Sequence, residues 1–133
     1  MFTFHTTVRL PDTDAAGILF FGKYFRLAHD TYESFMKSIG FGLDYIIREA
    51  DFLVLIAHAE ADYKTPLQLG ETVTVVLEVK NVGQTSFVLS YSLKDAQNNI
   101  AASLKTVHVT VDKKSGNKLP LPPELREKLT RIR

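Results

Sequence analysis

Residues 11–25 read PDTDAAGILFFGKYF, and the way this stretch changes character decides the fold. Pro11 closes the preceding segment. Asp12 and Asp14 stand two apart, Ala15-Ala16-Gly17 are small, and Ile18-Leu19-Phe20-Phe21 form an apolar run. Gly22 follows, and from Lys23 the apolar spacing becomes helical. Two acids thus sit directly before the first helix, beside residues that exclude water. As plain turn chemistry, either acid would cap a strand-to-helix connection. As a site, a carboxylate would lie near the unpaired amides of a helix start. Gly17 and Gly22 would let a ligand approach the backbone, and Phe20 and Phe21 would supply apolar walls.

Downstream of this stretch, Tyr24, Leu27, Ala28, Phe35 and Ile39 recur at three- and four-residue steps, with Tyr32 nearby, so a helix is predicted from about Lys23 to Ile39. Its other face carries Arg26, Asp30, Glu33 and Lys37, spaced for Arg26–Asp30 and Glu33–Lys37 pairs. Gly40 suits a C-cap, and a short helix is predicted at Leu43–Glu49. Upstream, residues 2–10 alternate as a strand.

The remainder reads as strands. Residues 53–64, LVLIAHAEADYK, begin apolar and then alternate, with Ala57, Ala59 and Ala61 on one side and His58, Glu60 and Asp62 on the other. The alanines are expected to let the helix lie close. Residues 72–80 are β-branched. Residues 86–94 place Phe87, Leu89, Tyr91 and Leu93 on one face, and residues 100–112 form a long strand. The segments NVGQT and DAQNN are turns. Pro120, Pro122 and Pro123 introduce a last helix with Leu125, Leu129 and Ile132 on one side. The order is strand, long helix, then four strands joined mainly by hairpins. That layout is α+β, a five-stranded antiparallel sheet wrapped around one helix. Open sheet edges call for a partner, so a homodimer or homotetramer is expected.

At 133 residues, with 45% hydrophobic and 23% charged residues, the chain is expected to form one domain, 1–133, with one core. A net charge of +1 provides no steering toward nucleic acid or an anionic membrane, and neither is expected as a partner. The basic cluster at 126–133 reads as a solvated helix face. The absence of cysteine excludes disulfides, cysteine nucleophiles and thiolate metal sites. Residues 1–9 lack the apolar stretch of a signal peptide, and no apolar run approaches the roughly 18 residues of a membrane span. A cytoplasmic location is expected. Nucleotide-binding glycine loops, zinc-binding histidine pairs and the nucleophile elbow of hydrolases are missing. The four histidines are dispersed, so no metal or cofactor is expected.

A helix N-terminus stabilises negative charge, including the oxygen of a carbonyl under attack. One carboxylate suffices for such attack when the leaving group is good. A free thiol has a pKa of roughly 8.5, so a thioester expels thiolate without a strong proton donor, whereas an amide does not. The loop chemistry therefore favours thioesters.

The segment DTDAAGILFFGKYF resembles the signature of hot-dog-fold acyl-CoA thioesterases of the 4-hydroxybenzoyl-CoA thioesterase class. Asp12, Asp14, Gly17, Phe20, Phe21 and Tyr24 match it. The segment DFLVLIAHAEADYKTPLQLGE is similar to that of the 1,4-dihydroxy-2-naphthoyl-CoA hydrolases of quinone biosynthesis, through Asp51-Phe52, His58-Ala59 and Asp62-Tyr63; HDTYESF (29–35) is similar too. The resemblance implies hydrolysis of an aromatic acyl-CoA. Asp14 becomes the catalytic acid, acting as nucleophile or on a water, and the amide donor falls near Phe21 and Gly22. Asp12 becomes structural. Gly17, Phe20, Phe21, Gly22 and His58 are the substrate-binding candidates. Some relatives carry His at the Gly22 position, so a His-assisted route is absent there. The basic cluster of the 4-hydroxybenzoyl-CoA enzyme, near Gly83-Gln84-Thr85, is also absent, leaving Lys64, Lys80 and Lys105 as candidates for the CoA phosphates. The alternatives are a short-chain acyl-CoA thioesterase, a hydroxyacyl dehydratase using His58 with Glu33, and a non-catalytic acyl-CoA-binding protein.

Overall fold

The computed structural model describes residues 1–133. The first strand, β1 (Phe2–Thr7), is followed by a 3-10 turn at Leu10–Asp12, the rest of the acid-bearing loop and a second 3-10 turn at Phe21–Lys23. The second of these ends at Lys23 and runs directly into α1 (Tyr24–Ser38), so helical backbone begins slightly before the sequence reading placed it. Gly40 ends this segment at φ +87°, where its amide bonds the Lys37 carbonyl; the left-handed conformation there is the usual stop for a helix. The short α2 (Leu43–Arg48) leads to β2 (Phe52–Tyr63), then β3 (Thr72–Val82), β4 (Ser86–Lys94), β5 (Ile100–Asp112) and α3 (Pro123–Ile132).

All pairings are antiparallel, and the sheet order is β1-β3-β4-β5-β2. The links β3–β4 and β4–β5 are hairpins, as expected. The β2–β3 link is not: β2 lies at the far edge beside β5, and the chain crosses the sheet before starting β3. Alternation along β3, β4 and β5 predicts which side chains face inward but carries no information about strand order.

The concave face is built by strict alternation. Val73, Val75, Leu77 and Val79 of β3, Phe87, Leu89, Tyr91 and Leu93 of β4, and Ala102 and Leu104 of β5 are all buried. Against them α1 buries Tyr24, Leu27, Ala28, Thr31, Tyr32, Phe35 and Met36, and the Phe35 ring meets Phe2 edge-on at 5.7 Å. Leu125 and Leu129 of α3 join the same core.

Two expectations about side-chain placement are corrected. Glu33 does not pair with Lys37; its carboxylate faces His29 at 3.7 Å, one turn earlier on the same face. The alanines of β2 do not share one face. A bulge between Ile56 and His58 leaves Ala57 without a partner on β5. One extra residue reverses the alternation, so Ile56, Ala59, Ala61 and Tyr63 share the inner side, while His58, Glu60 and Asp62 face outward. Ala57 and Ala59 are exposed.

One polar cluster lies inside the core. His108 of β5 is stacked between Phe87, at 4.9 Å and 5° between planes, and Tyr32, at 4.5 Å. Its Nε2 is 2.7 Å from the Thr106 hydroxyl, which in turn meets the Tyr91 hydroxyl at 2.9 Å. The His108 Nδ1 and Tyr32 hydroxyl have no partner in the chain. Burial pushes the His108 imidazole down to about 3, with repulsion from His29 adding to it.

A histidine whose folded pKa is depressed contributes its full stability above the unfolded value of about 6.5. As pH falls below that, the unfolded chain takes up a proton that the folded chain refuses. Stability should therefore drop by up to roughly 1.4 kcal/mol per pH unit until the folded pKa is approached. Denaturant titrations between about pH 6.5 and 4.5 measure this slope. The variant His108→Gln should lose the one-proton component; an equal slope in variant and wild type would show that His108 does not contribute it.

Candidate active site

The loop between β1 and α1 is fixed at its base by Asp12. This carboxylate is 4% exposed. Arg26, reaching down from α1, donates Nε to Asp12 Oδ1 at 3.0 Å and one terminal nitrogen to Oδ2 at 2.6 Å. The Arg9 amide adds a third bond at 3.2 Å. Burial raises the Asp12 carboxyl, but the bonds from Arg26 and Arg9 and the charges of Arg26 and Lys23 outweigh it, leaving a net lowering. Arg26 also holds Asp30 at 2.7 Å, the i,i+4 pair expected from sequence.

Above this anchor the loop doubles back on itself. Thr13 bridges Leu19, the Asp14 amide donates to the Ile18 carbonyl, and the Gly17 amide donates to the Asp14 carbonyl. Gly17, at φ +76°, takes the left-handed position that closes this turn. The Leu19 amide bonds the Leu67 carbonyl, and the Phe20 amide bonds the Asp12 carbonyl. Leu19 is buried in the core, so its neighbours are turned outward.

Asp14 is carried at the tip of this turn and is exposed. Its Oδ1 accepts the Ala16 amide at 2.8 Å, an Asx turn. The second oxygen, Oδ2, has no hydrogen bond within the chain. The turn-cap and site readings of this acid are thus compatible, since one oxygen shapes the turn and the other faces solvent.

Asp14 borders a cleft of about 480 Å³, whose walls include Ile18, Phe20, Phe21, Tyr24, Tyr63 and Lys64. Phe20 and Phe21 are 43% and 63% exposed, and their rings meet at 4.7 Å. Tyr63, at the end of β2, packs edge-on against Tyr24 at 4.8 Å and Phe21 at 6.5 Å. Burial, with nearby Tyr63, keeps the Tyr24 phenol above its ordinary pKa. Gly22 lies outside this wall, but a Cβ there would stand 3.0 Å from the Phe20 ring, so glycine leaves room for that wall.

The 3-10 turn at Phe21–Lys23 opens at the same place. The Lys23 amide bonds the Phe20 carbonyl and the Tyr24 amide the Phe21 carbonyl, whereas the amides of Phe21 and Gly22 have no acceptor in the chain. These are the orphan donors of a helix start.

Among the sequence candidates, Asp14, Phe20 and Phe21 line the cleft, while Gly17 and Gly22 shape its borders. His58 does not line it. It lies on the outer side of β2, where its Nε2 is 3.1 Å from Glu60. Glu33 belongs to α1 on the inner side of the sheet, so one copy of the chain does not bring the His58–Glu33 dehydratase pair together. Of the candidate lysines, Lys80 faces Glu78 and Lys105 faces Glu60, each at 3.4 Å. Lys64 borders the cleft and has no carboxylate partner. Sequence reasoning did not assign Tyr24 and Tyr63 to the walls; the Asp62-Tyr63 step of the resemblance was the available signal for Tyr63. No group of three His, Cys, Asp or Glu side chains is placed to hold a metal ion, and no helix is long and apolar enough to cross a membrane.

Comparison with known proteins bears on this arrangement. A 1,4-dihydroxy-2-naphthoyl-CoA hydrolase of Rippkaea orientalis is 31% identical over 123 residues, spanning 91% of this chain and 89% of the relative. The enzyme of the same name from a Synechocystis strain is 31% identical over 122 residues, spanning 91% and 88%. The crystal structure of a 1,4-dihydroxy-2-naphthoyl-CoA thioesterase from Synechocystis superposes with a TM-score of 0.92 at 29% identity, covering 98% of this chain and 96% of that one. The sheet curled around one long helix is the hot-dog arrangement that the motif implied. With residues 8–129 matching the family described as the Thioesterase-like superfamily, the chain belongs to that superfamily.

Proposed function

We propose that this protein hydrolyses an aromatic acyl-CoA thioester to the free acid and CoA, with Asp14 acting at the thioester carbonyl. The observation that carries this reading is the free Asp14 oxygen on an aromatic-walled cleft that Phe21 also lines, at the helix start where the Phe21 and Gly22 amides have no acceptor. Those amides are offered to the carbonyl oxygen as it gains negative charge, where a preorganised donor is most effective. The carboxylate attacks the carbonyl carbon or takes a proton from an attacking water. In either route the tetrahedral intermediate breaks the C–S bond and expels thiolate, which takes up a proton. Where Asp14 attacks, the resulting acyl–Asp14 anhydride is then cleaved by water to free acid and Asp14. Where Asp14 takes the proton of an attacking water, that proton returns to solvent, so each route consumes one water. No group in the cleft need protonate the leaving sulfur. Gly17 and Gly22 keep the approach to the backbone open, and Phe20 and Phe21 form the wall for the acyl group. Lys64 is the cation best placed to meet CoA phosphates.

The relatives named as 1,4-dihydroxy-2-naphthoyl-CoA hydrolases support an aromatic acyl group of that kind. Release of free thiol from a panel of acyl-CoAs tests the proposal. Dihydroxynaphthoyl- and hydroxybenzoyl-CoA should lead the panel, and a profile led by palmitoyl-CoA would overturn the aromatic preference. The variant Asp14→Asn keeps shape and removes charge. It should lower kcat by about 10²-fold or more, the usual scale for acid–base groups, while leaving KM close to wild type. A folded Asp14→Asn that turns over at the wild-type rate would remove Asp14 from the mechanism.

The working unit is proposed to be a homodimer or a tetramer of two dimers, in the cytoplasm. β2 is a twelve-residue edge strand with one side of its backbone unpaired. Leu55 and Ile56 on it are 47% and 48% exposed, and edge strands of this kind are normally covered or paired. Pairing two copies through β2 would also bring the outward-facing His58 toward the partner, the setting in which it would meet substrate. Light scattering should give at least twice the 15.0 kDa chain mass at micromolar concentration; a monomer would overturn the assembly.

A further inference from the structure

We infer that Tyr63 is a positioning residue for the oxyanion donor, holding the Phe21–Gly22 peptide so that the Gly22 N–H faces the developing negative charge. The inference deepens the thioesterase reading and rests on it. The Tyr63 hydroxyl donates to the Phe21 carbonyl oxygen at 3.2 Å. That oxygen already accepts the Tyr24 amide, so it is bound from two sides, by the helix and by the sheet edge. A trans peptide is planar, with its C=O and N–H pointing in opposite directions. Gripping the Phe21 oxygen therefore fixes the direction of the Gly22 N–H, which has no acceptor in the chain and points out of the helix start. A hydrogen bond to the carbonyl also polarises the peptide and makes its N–H a stronger donor.

The placement of Tyr63 suits this task. It is the last residue of β2, held in register opposite Ala102 of β5, so its backbone is set by the sheet and not by the loop it supports. Its ring is wedged edge-on against Tyr24 and Phe21. The first turn of α1 is otherwise mobile in principle, because helix ends lack half their hydrogen bonds. The side chain of Lys23, its N-cap, makes no capping bond. The Tyr63 hydroxyl is the sheet's one hydrogen bond to this turn among the side-chain bonds of the chain.

The test is Tyr63→Phe, which keeps the ring and its contacts and removes only the donor. Turnover of the best acyl-CoA should fall about tenfold, the worth of one hydrogen bond, with KM within about twofold. Affinity for a CoA thioether, which has no carbonyl oxygen, should be unchanged. A merely structural role would move thermal stability or thioether affinity and spare kcat. The second measurement needs no turnover: in NMR spectra of the intact protein, the Gly22 amide resonance should shift in Tyr63→Phe while that of Gly17 stays in place. An active wild type with unaltered kcat in the variant, or an unmoved Gly22 resonance, overturns the assignment of Tyr63 alone. A wild type inert toward every acyl-CoA overturns the thioesterase reading and this inference with it.

Discussion

Asp12 gives up nearly all its contact with water, and the two bonds from Arg26 are what make that tolerable. A buried carboxylate without a partner is strongly unfavourable. The grip of Arg26 therefore joins two parts of the chain fourteen residues apart, the 3-10 turn Leu10–Asp12 after β1 and the first turn of α1. Everything that forms the cleft hangs between those points. The Asp12 carbonyl receives the Phe20 amide, Thr13 bridges Leu19, and the turn bearing Asp14 is the short closed excursion left over. The position of Asp14 is set less by its own contacts than by the fixed ends of its loop.

The same residue type thus serves two opposite purposes two positions apart. Asp12 is buried, saturated with donors and held ionised. Asp14 is exposed and has one oxygen committed to the turn and one free. The difference follows from a break in the local backbone: Asp12 ends a 3-10 turn (Leu10–Asp12) with its side chain buried against Arg26, whereas Asp14 stands past the Thr13–Leu19 bridge, in the turn that Gly17 closes, where its side chain is exposed. Leu19 makes the same choice in reverse. By going into the core it sends Phe20 and Phe21 outward as the aromatic wall.

Features governed by short-range periodicity were legible in the sequence. The inner faces of β3 and β4, the buried stripe of α1, the glycine stop at Gly40 and the proline entry to α3 all follow from spacing and local backbone preference. What escaped depended on residues far apart or on a single insertion. The bulge at Ala57 reverses the alternation of half a strand, and nothing in LVLIAHAEADYK marks which residue is the extra one. The crossover from β2 to β3 is invisible to any local pattern. Arg26 was paired with Asp30 by helical spacing, which holds, but its stronger partner is Asp12, reachable only once the loop is folded. The acid, the glycines and the paired phenylalanines of the candidate site could be read from one continuous stretch. Tyr63 was marked only by the Asp62-Tyr63 step of the resemblance, and its contact with that stretch, from 42 positions away, is not visible in any local pattern.

This division of the site between one loop and one sheet edge bears on its chemistry. The loop supplies a carboxylate and two amides but no proton donor near a leaving atom. Such a set is poorly suited to amides, whose nitrogen must be protonated to depart, and adequate for thioesters, whose thiolate departs unaided near neutral pH. In the proposed reaction the demand on the protein then shifts from proton transfer to the control of charge on one oxygen, and control of that kind is a matter of where backbone dipoles point. A helix start alone is too mobile to aim them, because its first amides and their carbonyls are only half bonded. The sheet edge is rigid, and it reaches the helix start through a single phenol. On the proposed mechanism the curled sheet is more than a cover for α1: through the Tyr63 hydroxyl its outermost strand holds the peptide whose amide is offered to the carbonyl oxygen.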